Sequence, residues 1–515
     1  MPAALARGMT KTTHAADFDL APCATVAAAA STFLPGRLSE GAAVYLPGDD
    51  GYDAGRCGYN VAFPHRPAVV VAPATADDVV EAVRFAEDHR LRVVVQATGH
   101  GPTKAADGGV LISTDRMTEV TINASTRTAK VGAGVRWEQV TEAAAAHGLA
   151  AVNGSSPALG VVGYTLGGGL SPFLGRTRGY AADNVVSIDL VTADGAALTV
   201  NATSEPELFW GLRGGGGGLG VVTAIEFRLF PVRRVYAGGV YFAAEHAAAV
   251  LHAWRTWVES TPDEMSSSIA FVRHPKCEPV AEPLRGRLVV HVRVAYLGSA
   301  EDGERQLDPI RAAAPSIIDS VDDMPYTAAA AIHADLVDPL PVYERSALLH
   351  GLPPEALDLL LDFAVDGAAV PVTRVELRHL AGELRKPPRE PNAVANRDAP
   401  FLLTLASVVA ADKAAGHSAF HDHIVRELRP WTTGRTLANF LSPGDARQQH
   451  RATAYPGDVH ARLNALKKCW DPSGRFDVSA EDAAVLSSDA VVQPRPGTLE
   501  TQQLAEILGL RPRLS

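Results

Sequence analysis

The chain has little that would cross-link it or hold a metal. Only four cysteines occur in 515 residues (Cys23, Cys57, Cys277 and Cys469), and no two of them form a CxxC pair. That spacing excludes a disulfide framework and a zinc knuckle. Positive charge is also short, with 47 Lys and Arg against 58 Asp and Glu and a formal net charge of −11. A nucleic-acid groove needs a basic stripe, and none is present. No apolar run approaches the ~20 residues of a membrane-spanning helix. The alanine-rich run 21–34 has the composition of a secretion signal, yet Asp17 and Asp19 stand before it where a signal carries basic residues. The expectation is a cytoplasmic protein with no membrane and no nucleic-acid partner, this run being a first helix that stops at Pro35-Gly36. His421 and His423 flank an acidic residue and lack further ligands, so no metal site is expected.

A chain of this length is too long for one core, so at least two domains are expected. The first half reads as mixed strands and helices. Pro67 and Pro73 bracket a Val-rich strand, and Thr75 with Asp78 forms a capping box that opens an amphipathic helix. Strands follow at 91–96 and 109–113, then a helix over 137–147 that ends at Gly148. A strand at 185–192 turns at Ala193-Asp194-Gly195 into another at 198–201. Ser204 and Glu207 predict a second capping box for a helix over 205–212, and 221–230 alternates as a long strand. Beyond Tyr236, candidate strands at 288–296, 372–380 and 401–410 predict an antiparallel sheet with alanine-rich helices between them.

Two glycine-rich stretches concentrate the chemistry. Ala97-Thr98-Gly99-His100-Gly101 follows the strand 91–96, and Gly163 to Gly169 comes later. Small residues at a strand exit let backbone N–H groups approach a pyrophosphate, and His100 can reach what that pyrophosphate carries. A third run, Gly215 to Gly220, formally matches G-x-G-x-x-G. Its order is reversed, with a helix before it and a strand after it, so it lacks the geometry of a Rossmann fingerprint.

Taken together, these motifs resemble a known family. Arg66-Pro67-Ala68-Val69-Val70-Val71, Thr98-Gly99-His100 and Gly163-Tyr164-Thr165-Leu166-Gly167-Gly168-Gly169 are similar to the FAD domain of the vanillyl-alcohol-oxidase superfamily. Asp183-Asn184-Val185, Glu207-Leu208-Phe209-Trp210 and Arg213-Gly214-Gly215-Gly216-Gly217 extend the likeness. The berberine-bridge-enzyme-like branch is the closer match, through Arg378-His379-Leu380-Ala381-Gly382, Asn396-Arg397-Asp398-Ala399, Asn439-Phe440 and Asp471-Pro472. The resemblance implies an α+β fold: a two-part PCMH-type FAD-binding domain, plus a substrate domain with an antiparallel sheet flanked by helices. Its segments would be 1–60 and 61–235 for the FAD domain, 236–430 for the substrate domain, and 431–515 returning to the first.

The resemblance also implies a site. FAD would be held through one covalent bond, from His100 to the flavin 8-methyl group. Ala97, Thr98, Gly99, Gly101, Ser156, Gly163, Tyr164, Gly167, Gly168, Asp183, Val222 and Asn439 would contact the cofactor. Ser156 stands where many members carry a second linking cysteine, and a serine cannot form the thioether. Leu437-Ala438-Asn439 replaces a Tyr-x-Asn whose tyrosine serves as a base, and Ser479 replaces an asparagine after Asp-Pro. Glu376 and Arg378 alternate on one predicted strand face, with His379 on the other. Glu376 is thus a candidate base, and Arg378 a candidate anion-holding or flavin-polarising group, with Tyr164 beside the flavin ring. The competing reading of Glu376 and Arg378 is a cross-strand ion pair. Tyr241, Tyr296, Tyr326, Tyr343 and His291 are further candidates for the cavity.

The implied activity is two-electron oxidation of a small or medium organic molecule in natural-product biosynthesis, with molecular oxygen reoxidising the flavin. The alternatives are a cyclase or isomerase-like enzyme without net oxidation, a dehydrogenase using another acceptor, a nicotinamide-dependent reductase and a non-catalytic flavin binder. The oligomeric state is left open.

Overall fold

The computed structural model describes residues 23–101, 105–278, 280–366, 372–442 and 453–476. The expected terminal helix at 504–510, Ser479, and Asp17 and Asp19 lie outside these residues. The first sheet has the order β1 (Ala43–Tyr45), β2 (Val69–Ala72), β4 (Val110–Ser113), β3 (Val93–Gln96). Strands β2 and β4 are parallel and buried along their whole length, which is why both read as unbroken apolar runs. The second sheet is antiparallel, in the order β5 (Val120–Asn123), β6 (Thr128–Gly132), β9 (Val221–Arg228), β7 (Val185–Val191), β8 (Ala197–Asn201).

Helix Ala76–Asp88 packs against β4, β7 and β9, so it bridges the two sheets. Its start is fixed by the expected capping box, in which Thr75 Oγ1 accepts from Asp78 N and Asp78 accepts from Thr75 N. The second expected box does not form. Glu205, at φ 49°, is the cap residue of helix Pro206–Leu212, and no side chain caps it. The Asn201 side chain takes the Ser204 N–H and Pro206 presets the first turn, so the helix starts without a serine cap. The Gly215–Gly220 run lies between this helix and β9, the order that rules out a Rossmann turn.

The third sheet is antiparallel throughout. It runs β13 (Ser316–Asp319), β10 (Arg234–Ala243), β12 (Leu288–Tyr296), β11 (Met265–Arg273), β16 (Arg374–His379), β17 (Phe401–Val408), β15 (Val342–Leu349), and β14 (Asp322–Pro325) also pairs with β10. Strand alternation gives it two different faces. Val290, Val292, Val294, Val375, Leu377, Leu403 and Leu405 form an apolar core with Leu251, Trp254, Leu307 and Leu357 from the covering helices. The residues between them face the other way, toward the first two sheets. Helix Gly457–Trp470 brings Leu463 and Leu466 back into the first core, and Val93 N donates to Arg475 O at 2.9 Å. No helix among the described residues is long and apolar enough to cross a membrane.

Candidate active site

A cavity of about 1590 Å³ lies between the inner face of the third sheet and the turns of the first two. Single-ligand pockets run to roughly 300–1,000 Å³, so this one has room for a large cofactor and a substrate together. Its first wall is the turn that follows β3. Gly99 has φ 69°, and a Cβ there would sit 2.5 Å from Gly58 Cα, so the turn needs glycine. The close approach brings Tyr59 beside His100, and the two rings stack at 3.8 Å and 8°. The Thr98 hydroxyl accepts from Gly160 N at 3.3 Å, which leaves its hydrogen for His100 Nδ1 at 3.1 Å. His100 Nε2 is buried and has no partner. Burial lowers the imidazole from 6.5 to about 4, so the ring is neutral at neutral pH.

The second wall is helix Val161–Leu166 and the glycines after it. Asn439 holds this turn from the far end of the chain: Oδ1 accepts from Gly169 N at 2.7 Å, and Nδ2 donates to Tyr164 O at 3.1 Å. Tyr164 meets Trp137 edge-on at 5.4 Å, and its hydroxyl is buried without a partner. Ser156 Oγ is also buried and unpartnered. Gly101, Gly163 and Gly217 border open space, since a Cβ on any of them would meet nothing within 4 Å.

The third wall is the inner face of the large sheet, and its register places the residues in rows. One row is Tyr241, His291, Ala270, Glu376, Thr404 and Ser346, counted from β10 to β15. Arg293 and Arg378 lie in the row on one side, Arg374 and Glu344 in the row on the other. Glu376 is fully buried at the centre. Arg293 Nη1 donates to its Oε1 at 2.9 Å, Arg378 Nη2 to its Oε2 at 3.1 Å, and Arg374 Nε stands 3.8 Å from Oε2. Burial acts to raise this carboxyl, but the three guanidinium groups outweigh it and hold it well below its usual range. His291 stacks on Tyr241 at 3.8 Å and accepts from Arg293 Nε at 3.1 Å.

Of the residues singled out from sequence, Ala97, Thr98, Gly99, His100, Gly101, Ser156, Gly163, Tyr164, Gly167, Val222, Asn439 and Arg378 line this one cavity. Three others do not. Gly168 turns toward Val394. Asp183 accepts from Arg397 at 2.6 and 3.0 Å, from Asn392 and from Tyr180 N, which occupies both its oxygens in a support outside the wall. Glu376 sits beneath the arginines. His379 does lie on the opposite sheet face, against Phe401. Of the five further candidates, Tyr241 and His291 reach the cavity while Tyr296, Tyr326 and Tyr343 are not among its lining. Tyr59, Arg293, His333, Asp335, Glu344, Arg374 and Thr404 line it too, and the sequence reading missed them. A signal for part of this set was available. Val290-His291-Val292-Arg293-Val294 alternates polar with apolar inside a strand too apolar for a wet edge. His421 is bonded to Ser407 and His423 packs on Phe363, and no metal-holding cluster exists among the described residues.

Known proteins share sequence and fold with this chain. Residues 67–201 match the model of an FAD binding domain. The (R)-6-hydroxynicotine oxidase of Paenarthrobacter nicotinovorans is 29% identical over 461 residues, covering 87% of this chain and 97% of that protein. The crystal structure of 6-hydroxy-D-nicotine oxidase from Arthrobacter nicotinovorans superposes with a TM-score of 0.74 at 26% identity, over 86% of this chain and 98% of the other. A variant of BBE-like 1 from Physcomitrella patens shares the fold, with a TM-score of 0.76 at 21% identity over 89% and 98% of the two chains. The cavity suits FAD: open glycine backbone borders it, and His100 Nε2, Ser156 Oγ and Tyr164 OH are buried polar atoms on its wall that lack a protein partner. The chain is an FAD-dependent oxidoreductase with an FAD binding domain over residues 67–201, and it shares its fold with a BBE-like protein.

Proposed function

We propose that this oxidoreductase carries FAD on a single covalent bond to His100. We further propose that it is an oxidase of a small or medium organic molecule in natural-product chemistry, with molecular oxygen as final acceptor. The observation that carries the reading is the buried, unpartnered Nε2 of a neutral imidazole on the cavity wall. Thr98 engages Nδ1, so Nε2 is the nitrogen free to bond; forming the link would cost Nε2 its proton and the 8-methyl group one hydrogen, with the electron pair passing to the flavin ring and then to molecular oxygen. Tyr59 holds the ring in plane. When bound, FAD supplies a two-electron acceptor for hydride from the substrate.

The chain's own residues divide the remaining work. Asn439 fixes the turn that carries Tyr164, a residue of the cavity lining whose hydroxyl is buried without a partner. Glu376 fits the base role poorly, because both of its oxygens are engaged by guanidinium groups and its carboxyl is held ionised. Glu344 fits better. Its side chain is 51% exposed on the cavity side, and its carboxylate stands 3.9 Å from Arg374. The protein packed around the cavity raises its carboxyl above the usual range even though the side chain opens to that space, which suits proton acceptance nearer neutral pH.

The test is the acid-precipitated protein. The pellet stays yellow, and mass spectrometry finds flavin on the peptide containing His100. His100→Ala folds, releases its flavin into acid and turns over more slowly. Pigment released from the wild-type protein would overturn the covalent anchor. Substrate-dependent peroxide separates an oxidase from a dehydrogenase and from a cyclase without net oxidation.

A further inference from the structure

The inner face of the large sheet is short of acceptors. Thr404 is buried, and its Oγ1 has no partner among the described residues. By register it lies beside Glu376, between Arg374 and Arg378 on the neighbouring strand. Both arginines also leave Nε without a hydrogen bond, and both line the cavity with Thr404. His291 accepts at Nδ1, so its proton lies on Nε2, which again has no partner. Buried donors are nearly always satisfied in folded proteins, so several on one wall mark the place of a missing acceptor.

The acceptors already present are used. Glu376 is taken by Arg293 and Arg378. Asp335 accepts from Ser155, and its second oxygen accepts from Arg374 at 3.3 Å. Three guanidinium groups therefore face two carboxylates locked into ion pairs, while the third, Glu344, is half exposed and comes no nearer to Arg374 than 3.9 Å. Glu344 stands in the outer row beside Arg374, away from the Thr404–Arg378 edge. A void of about 30 Å³ between Arg293 and Arg378 admits a water but not a carboxylate, so a larger anion has to sit on the cavity side.

We propose that the substrate bears a carboxylate, and that Arg378 and Thr404 receive it on the sheet wall while the rest of the molecule extends toward the cofactor. This deepens the oxidase reading and rests on it for the direction the substrate faces. Arg378 also stands over the Phe440 ring at 5.6 Å, which gives an aromatic or flat apolar body a surface beside the charged end.

The experiment uses the flavin-containing protein and three probes of one shape: benzoate, benzylammonium and benzyl alcohol. Binding is read by isothermal titration calorimetry and by the change in flavin absorbance. Benzoate binds saturably, and the other two bind at least about tenfold more weakly, the factor expected when a charge-assisted hydrogen bond is absent. Thr404→Val keeps the shape of the wall and weakens benzoate by about tenfold. Arg378→Met weakens it further, and the Thr404 variant keeps the test valid if the arginine variant folds poorly. The proposal fails if benzylammonium or benzyl alcohol matches benzoate, if benzoate does not bind, or if Thr404→Val binds it as tightly as wild type. A protein without flavin would sink the oxidase reading alone, because calorimetry still reports the anion.

Discussion

Replacing Glu376 with glutamine separates two roles that the same residue could have. In the structure this carboxylate is fully buried and joins Arg293 on β12, Arg378 on its own strand and, at 3.8 Å, Arg374. Glu376→Gln keeps the shape and removes the charge, so three guanidinium groups face each other across a buried wall. Breaking a buried ion pair from one side costs about 3–5 kcal/mol. At about 2–4 °C per kcal/mol for a unit near 200 residues, the melting temperature falls by roughly 6–20 °C. The pH dependence carries the same signature. The folded carboxyl titrates well below its ordinary 4.5, so its contribution is complete above that value and is lost as pH falls through the depressed one. Wild-type protein therefore loses stability on acidification below about 4.5, and the glutamine variant loses less over that window. Differential scanning calorimetry between pH 3 and pH 7 measures both effects. A variant that melts with wild type while losing turnover would refute the hub and restore Glu376 as the base.

Two further substitutions test the turns that hold the cofactor. Gly99→Ala must place a Cβ 2.5 Å from Gly58 Cα at φ 69°, which costs at least about 1–2 kcal/mol in left-handed backbone alone. The purified variant is expected to carry a small fraction of the wild-type flavin per chain; full occupancy with a bonded His100 would contradict the close approach. Asn439→Ala leaves the Gly169 N–H without its acceptor, at about 1–3 kcal/mol. It should lower both thermal stability and flavin content, and unchanged values for both would show that the clamp is dispensable.

How much of this could be read from the chain depends on the range of the interaction. The capping box of Thr75 and Asp78 and the buried strands β2 and β4 are local, and sequence marks them plainly. The helix-then-strand order around Gly215–Gly220 is local too, and it was enough to reject a Rossmann turn. The wall of the cavity is not local. Tyr59 reaches His100 because Gly58 and Gly99 pass at near contact, and the two glycines belong to different elements. Thr404 comes to lie between Arg374 and Arg378 only through the pairing of β16 with β17, and a slip of one residue would turn it toward the helices. Sequence could show that Glu376 and Arg378 share a face. It could not show that Arg293, two strands away, lies on that face and takes one of the carboxylate oxygens. That third partner turns a plausible base into a structural hub, and it shifts the search for the proton acceptor to Glu344, which stands in the next row with its side chain open to the cavity.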